Sequence, residues 1–161
     1  MATGTILLPV QAAKLPATNS ARIDAAENNW RLLFDASTDQ ACCWQFRLPV
    51  NYSSSPVLKI QYSMNSAISG AVYFQVSVMA VTDGDAANIN TDSYDTANSG
   101  NATVPGTAGY LDEISISLTN ADSMAAGDYV KINVNRDADN ASDTATGDAE
   151  VVAISLEYTT T

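Results

Sequence analysis

Six segments of this chain alternate apolar and polar side chains with a period of two, and no other feature narrows its folding options as much. Residues 42–48 set Cys42, Trp44, Phe46 and Leu48 on one face against Cys43, Gln45 and Arg47 on the other. Residues 58–64 set Leu58, Ile60, Tyr62 and Met64 against Lys59, Gln61 and Ser63. The same pattern runs through 72–80, 113–118, 129–135 and 151–158. Successive side chains of a strand point to opposite faces, so this period predicts strands with one face buried and one wet. Such strands belong to antiparallel sheets. Residues 5–8 and 30–34 are weaker candidates, which brings the total to about eight strands, as in a two-sheet jelly roll. The expected fold is an all-β antiparallel sandwich, jelly-roll-like. Its expected core is Trp44, Phe46, Ile60, Phe74, Val76, Ile116, Ile132, Ile154 and Leu156.

Helical signals are sparse. Residues 21–29 predict one or two turns capped by Ser20, and residues 121–126 a short turn. Residues 1–20 read as an extended N-terminal arm, and 21–161 as a single sandwich domain. One segment, 82–111, interrupts the alternation with Asp, Asn and Gly. A connection beyond about 12–15 residues is unusual in a compact domain, so it is either a functional or assembly loop or hides an edge strand near 102–104.

Composition excludes more chemistry than it supports. The chain has 18 acidic and 7 basic residues, a formal net charge of −11, and no histidine. No imidazole is present to serve as general base, triad member or metal ligand. The charge disfavours nucleic acid and anionic membranes as partners, and no apolar run reaches the roughly 20 residues of a membrane span. The N-terminus has neither a basic region nor an uninterrupted apolar run, so synthesis in the cytoplasm is expected. Cys42 and Cys43 are neighbours on opposite strand faces, which argues against a disulfide between them. Neither has a basic partner in sequence to make it a nucleophile.

Three constellations are worth weighing as sites. Asp137, Asp139, Asp143 and Asp148 crowd one turn and could surround calcium. Ala141 and Ser142 stand where an EF-hand loop needs a ligand and a glycine. The preferred reading is a surface hairpin in which Asp and Ser accept backbone N–H groups and Arg136 pairs with a nearby carboxylate. Glu113 and Glu157 are the strand carboxylates long enough for glycosidase chemistry, but both fall on polar faces. Tyr52, Tyr73, Tyr94, Tyr110 and Tyr129 lie outside the clearest core faces, where aromatics either stack on sugars or anchor protein interfaces. No catalytic residue and no cofactor is expected.

Two stretches carry a resemblance. One runs from Trp44 to Tyr52 and leads into the strand 58–64. The other, 126–159, contains Gly127-Asp128, Arg136-Asp137, Asp143-Thr144, Gly147-Asp148-Ala149 and a closing Tyr158-Thr159. Together they resemble small β-rich virion proteins of tailed bacteriophages. The resemblance implies a non-enzymatic structural protein, most simply a decoration (cement) protein on the outer head surface. Its partners would be the major capsid protein and copies of itself, as a trimer at local three-fold positions. Ile6, Leu7 and Leu8 of the arm and Tyr94 and Tyr110 of the long segment would then make the contacts. The alternatives are a tail-fibre or head-fibre receptor-binding module and a non-viral carbohydrate-binding jelly roll.

Overall fold

A computed structural model describes residues 2–25 and 28–161. Ten strands form two antiparallel sheets that pack face to face. The six-stranded sheet holds β1 (Thr3–Leu7), β2 (Arg22–Asp24), β3 (Arg31–Phe34), β5 (Tyr52–Met64), β8 (Asp112–Ser117) and β10 (Ala149–Thr160). Its order is β2-β3-β10-β5-β8, with β1 on the same side of β10 as β3. The four-stranded sheet, β4-β9-β6-β7, holds β4 (Gln40–Arg47), β6 (Ala71–Val81), β7 (Asn98–Thr103) and β9 (Tyr129–Arg136). A single 3-10 turn, Val10–Ala12, is the one helical element among the described residues, and no helix is long and apolar enough to cross a membrane.

The alternation in sequence is the alternation of burial. Leu58, Ile60, Tyr62, Val72, Phe74, Val76, Val130, Ile132 and Val134 face inward and are buried, while their neighbours other than Ser63 are partly or fully exposed. Phe74 meets Phe34 edge-on at 5.5 Å and Tyr62 at 6.3 Å, joining the two sheets. The expected core residues are buried except Phe46, which is only half-buried near the end of β4.

Residues 2–20 run along the sandwich and pair with it. β1 pairs with β10 from Thr3↔Thr159 to Leu7↔Ser155. Beyond the 3-10 turn, Lys14 bridges Cys43 and Ser20 bridges Ala41, so residues 13–21 cover the outer edge of β4. An open edge that would recruit other strands is thereby closed. The helical turn expected over 21–29 is replaced at its start by β2, whose Arg22–Asp24 pair with β3; Ala26 and Glu27 lie outside the described residues. Residues 121–126 form turns, as expected.

The long segment is mostly exposed but contains a strand. Its centre is β7, which pairs with β6 from Ala71↔Thr103 to Val76↔Asn98. Residues ahead of it fold over the outer face of the four-stranded sheet. There Lys131 donates to the Ile89 carbonyl, Asp95 N donates to the Val78 carbonyl at 2.8 Å, and Tyr94 sits beside Cys43 and Tyr129. This cover explains why Met79 is buried on a face that the register directs away from the core.

Candidate functional site

The acidic turn after β9 is organised by Arg136, which is fully buried. Its guanidinium uses five donors. Nε and Nη2 grip Asp143 at 2.9 and 2.8 Å, and the remaining N–H groups reach the carbonyls of Phe34, Gly147 and Ala145. Asp143 also accepts the Tyr73 amide at 2.9 Å, and Thr144 Oγ1 accepts that of Ala71. Asp148 accepts the Ala36 amide at 3.1 Å. Gly147 is required because a Cβ there would stand 2.7 Å from the Ala67 nitrogen. Upstream, Gly127 sits at φ 91° and Asp128 caps the Ala125 amide at 2.7 Å. The residues of 126–148 thus frame the fold, with the side chains of Arg136, Asp128 and Asp143 buried.

Asp143 and Asp148 are therefore committed elsewhere, and the four-carboxylate calcium arrangement does not form. Asp137 and Asp139 instead come together with Asp39, their oxygens within 4.8 Å of one another. The pairing Gln40↔Arg136 sets Asp39 beside this turn. Asp39 accepts the Ala138 amide, and Asp137 accepts Gln75 and Asn140 side-chain N–H groups. The hydrogen bond to Asp137, and then the charge of Asp39, holds the Asp139 carboxyl above the usual carboxylate range. Three such oxygens suit a hard cation, but their protein donors already hold the cluster together.

The other candidates fall on the outer faces. Glu113 and Glu157 line one depression of 260 Å³ on the six-stranded sheet, where Lys59 (3.2 Å) and Gln61 (3.1 Å) hold the Glu113 carboxylate. Burial pushes the Cys42 thiol far up, with neighbouring Cys43 adding to the shift, which removes the thiolate a nucleophile needs. The five tyrosines form no common row. Tyr52 is buried against Tyr158. Tyr73, Tyr94 and Tyr129 belong to the outer side of the four-stranded sheet, and Tyr110 is exposed just before β8. Burial and then Cys43 push the Tyr94 phenol up to about 12. Of the arm residues, Leu8 is buried and Ile6 packs against the core of its own chain. Leu7 is 74% exposed.

Sequence reasoning passed over the surface with the clearest binding chemistry. Along one side of β10, β1 ends at Leu7↔Ser155 and β3 begins at Val151↔Leu32. The gap leaves a notch beside Val152, Ala153 and Ile154, at a bulge in β10. It is a cleft of 410 Å³ lined by Leu7, Leu8, Pro9, Val10, Gln11, Asn28, Asn29 and Trp30. Among the described residues no charged side chain lines it. Trp30 is 52% exposed, whereas Trp44 is buried with its indole N–H tied to the Pro9 carbonyl at 2.8 Å. That bond and Leu8 N→Ile154 O at 2.9 Å fix the floor. Arg31, next to Trp30, is anchored by Asp24 at 3.2 Å and Glu150 at 3.0 Å. An exposed indole beside three carboxamides, on a braced sheet margin, offers an apolar face with neutral donors and acceptors around it. The signal in sequence was Asn28-Asn29-Trp30, an aromatic just ahead of a strand whose alternation is irregular.

The fold has solved counterparts. A CBM35 from Cellvibrio japonicus superposes with a TM-score of 0.50 at 10% identity, covering 95% of this chain and 92% of its own. The C-terminal CBM6 of a marine laminarinase from Zobellia galactanivorans gives 0.49 at 10% identity, covering 95% and 98%. A family 35 carbohydrate binding module from Clostridium thermocellum gives 0.47 at 11% identity, covering 95% and 97%. No protein-family model and no curated protein matches the sequence. The class defined by the sheets and by the first of these likenesses is a jelly-roll β-sandwich.

Proposed function

We propose that this chain is a non-catalytic carbohydrate-binding module and that the Trp30 cleft holds its ligand. The observation that carries this reading is the half-exposed indole of Trp30 beside a notch where no described residue is charged, with Gln11, Asn28 and Asn29 in its lining. The face of an aromatic ring is electronegative and attracts the polarised C–H groups on one face of a pyranose. Carboxamides both donate and accept, as sugar hydroxyls do. Sharing a sandwich with carbohydrate-binding modules is an analogy of fold and adds weight without assigning a ligand. The test is a titration of the full chain against a panel of neutral oligosaccharides. At least one should bind, and Trp30→Ala should weaken it at least tenfold, the loss typical of an aromatic anchor. Binding that is indifferent to Trp30→Ala would place the site elsewhere.

A second reading, a virion surface protein in the decoration or fibre class, rests on the resemblance carried by residues 44–64 and 126–159. The two are compatible in a receptor-binding module, where a phage protein binds a cell-surface glycan. A decoration protein contacting the major capsid protein, as a trimer on the head surface, should co-sediment with empty heads at many copies. A receptor-binding module should instead bind cells.

A further inference from the structure

A second cleft lies on the other side of the six-stranded sheet, between the start of β5 and the turn after β8. It measures 730 Å³ and is lined by residues 52–57, Asp95, 117–119, Ala121, Ser123 and Met124. We propose that it is a second carbohydrate site, taking a neutral sugar unit, an inference that rests on the glycan-binding reading above.

Its chemistry is selective by what it offers. Hydroxyls of Ser53, Ser54, Ser55, Ser117 and Ser123 line the cleft together with apolar Val57 and Met124, while the Thr119 hydroxyl donates to Asn98 Oδ1 at 3.2 Å. Among the described residues, Ser53, Ser117 and Ser123 spend no side-chain hydrogen bond inside the protein, and the Ser54–Ser55 contact is long at 3.5 Å. These groups are open to a ligand that both donates and accepts. The single charged lining residue, Asp95, is committed: its oxygens accept the amides of Thr96 at 2.6 Å and Asp122 at 3.0 Å. An ionic ligand finds no free counter-charge there. A pyranose, with hydroxyls at its rim and C–H groups on its faces, matches this mixture.

The backbone bears on the same place. Four non-glycine residues among those described have left-handed φ, and three belong to this cleft or its wall: Ser55 at 55°, Asp122 at 51° and Ser123 at 54°. Such conformations are costly for residues with a Cβ and persist only where the surroundings hold them. Here Asp95 holds the Asp122 amide, Asp122 in turn accepts the Ala80 amide at 2.8 Å, and Pro56 accepts the Leu118 amide at 2.9 Å. A glycine at 55 or 123 would relieve the strain, yet serine stands at both.

That contrast supplies the test. The full chain is titrated with neutral gluco-, xylo-, manno- and galacto-tetrasaccharides while backbone amide shifts are followed by NMR. Two separate groups of amides should move, one at 28–30 and 152–154 and one at 53–57 and 117–124. Trp30→Ala should abolish the first group and leave the second. Ser55→Gly with Ser123→Gly should abolish the second and leave the first, with no fall in melting temperature. Ser117→Ala, on a regular strand, should weaken the second site about two- to tenfold, as expected for one lost hydrogen bond. Movement confined to the Trp30 group overturns the second site and leaves the glycan-binding reading standing. Movement of neither group overturns both.

Discussion

Trp30 and Trp44 show how little a residue's type says about its role. One indole is buried with its N–H satisfied, and the other stands half in water. Asp139 shows the reverse, a role set by close neighbours. Its carboxyl is held above the usual range by Asp137 and Asp39, so ionisation opposes folding. The penalty is present above the folded pKa and is relieved as pH falls through it. Asp139→Asn should therefore raise the melting temperature near neutral pH, with the gain vanishing as pH is lowered toward about 3, below the ordinary Asp pKa. A gain that grows on acidification would mean that Asp139 is stabilised by a partner. Asp137 and Asp139 were legible as a cluster because they are two residues apart. Asp39 was not, because only the β4–β9 register brings it there.

At the scale of elements, six alternating segments became six strands because burial on one face enforces the period. The misses have physical causes. The stretch around Ala21-Arg-Ile-Asp24 has good local helix formers, yet three residues pair with β3 and tertiary pairing overrides propensity. The edge strand offered near 102–104 is β7, but it starts earlier, at Asn98: this stretch carries almost no apolar alternation and is made a strand by β6, with buried Asn98 bonded to the carbonyls of Val76 and Asn120. The β9–β10 connection depends on Arg136. Arg136→Ala should destabilise the protein by about 3–5 kcal/mol in denaturant titration, since it leaves Asp143 buried and unpaired. Phe74→Ala should cost about 3–5 kcal/mol through lost transfer energy and a cavity between the sheets. A cost below about 1 kcal/mol for Phe74→Ala would be incompatible with the sandwich core.

The whole molecule is a sandwich whose own N-terminal segment closes one side of it. The sequence marked Ile6, Leu7 and Leu8 as an adhesive arm, but their pairing with β10 places Leu8 in the core and leaves Leu7 beside Trp30. Deleting residues 1–8 should lower the melting temperature and promote association, because half of one edge of β10 then opens. An unchanged melting temperature and mass would show that β1 adds nothing to the fold. The Trp30 notch exists only where β1, β3 and β10 meet, so no local pattern could disclose it.

Tryptophan quenching tests the glycan-binding account most directly. The chain has two tryptophans, one half-exposed and one buried, so collisional quenching by acrylamide reports chiefly on Trp30. A saturating neutral oligosaccharide identified by the binding panel should shield the indole and cut the quenching slope toward that of Trp30→Ala, while leaving the variant's slope unchanged. Binding that leaves the wild-type slope as it was would contradict the claim that a sugar ring rests on Trp30.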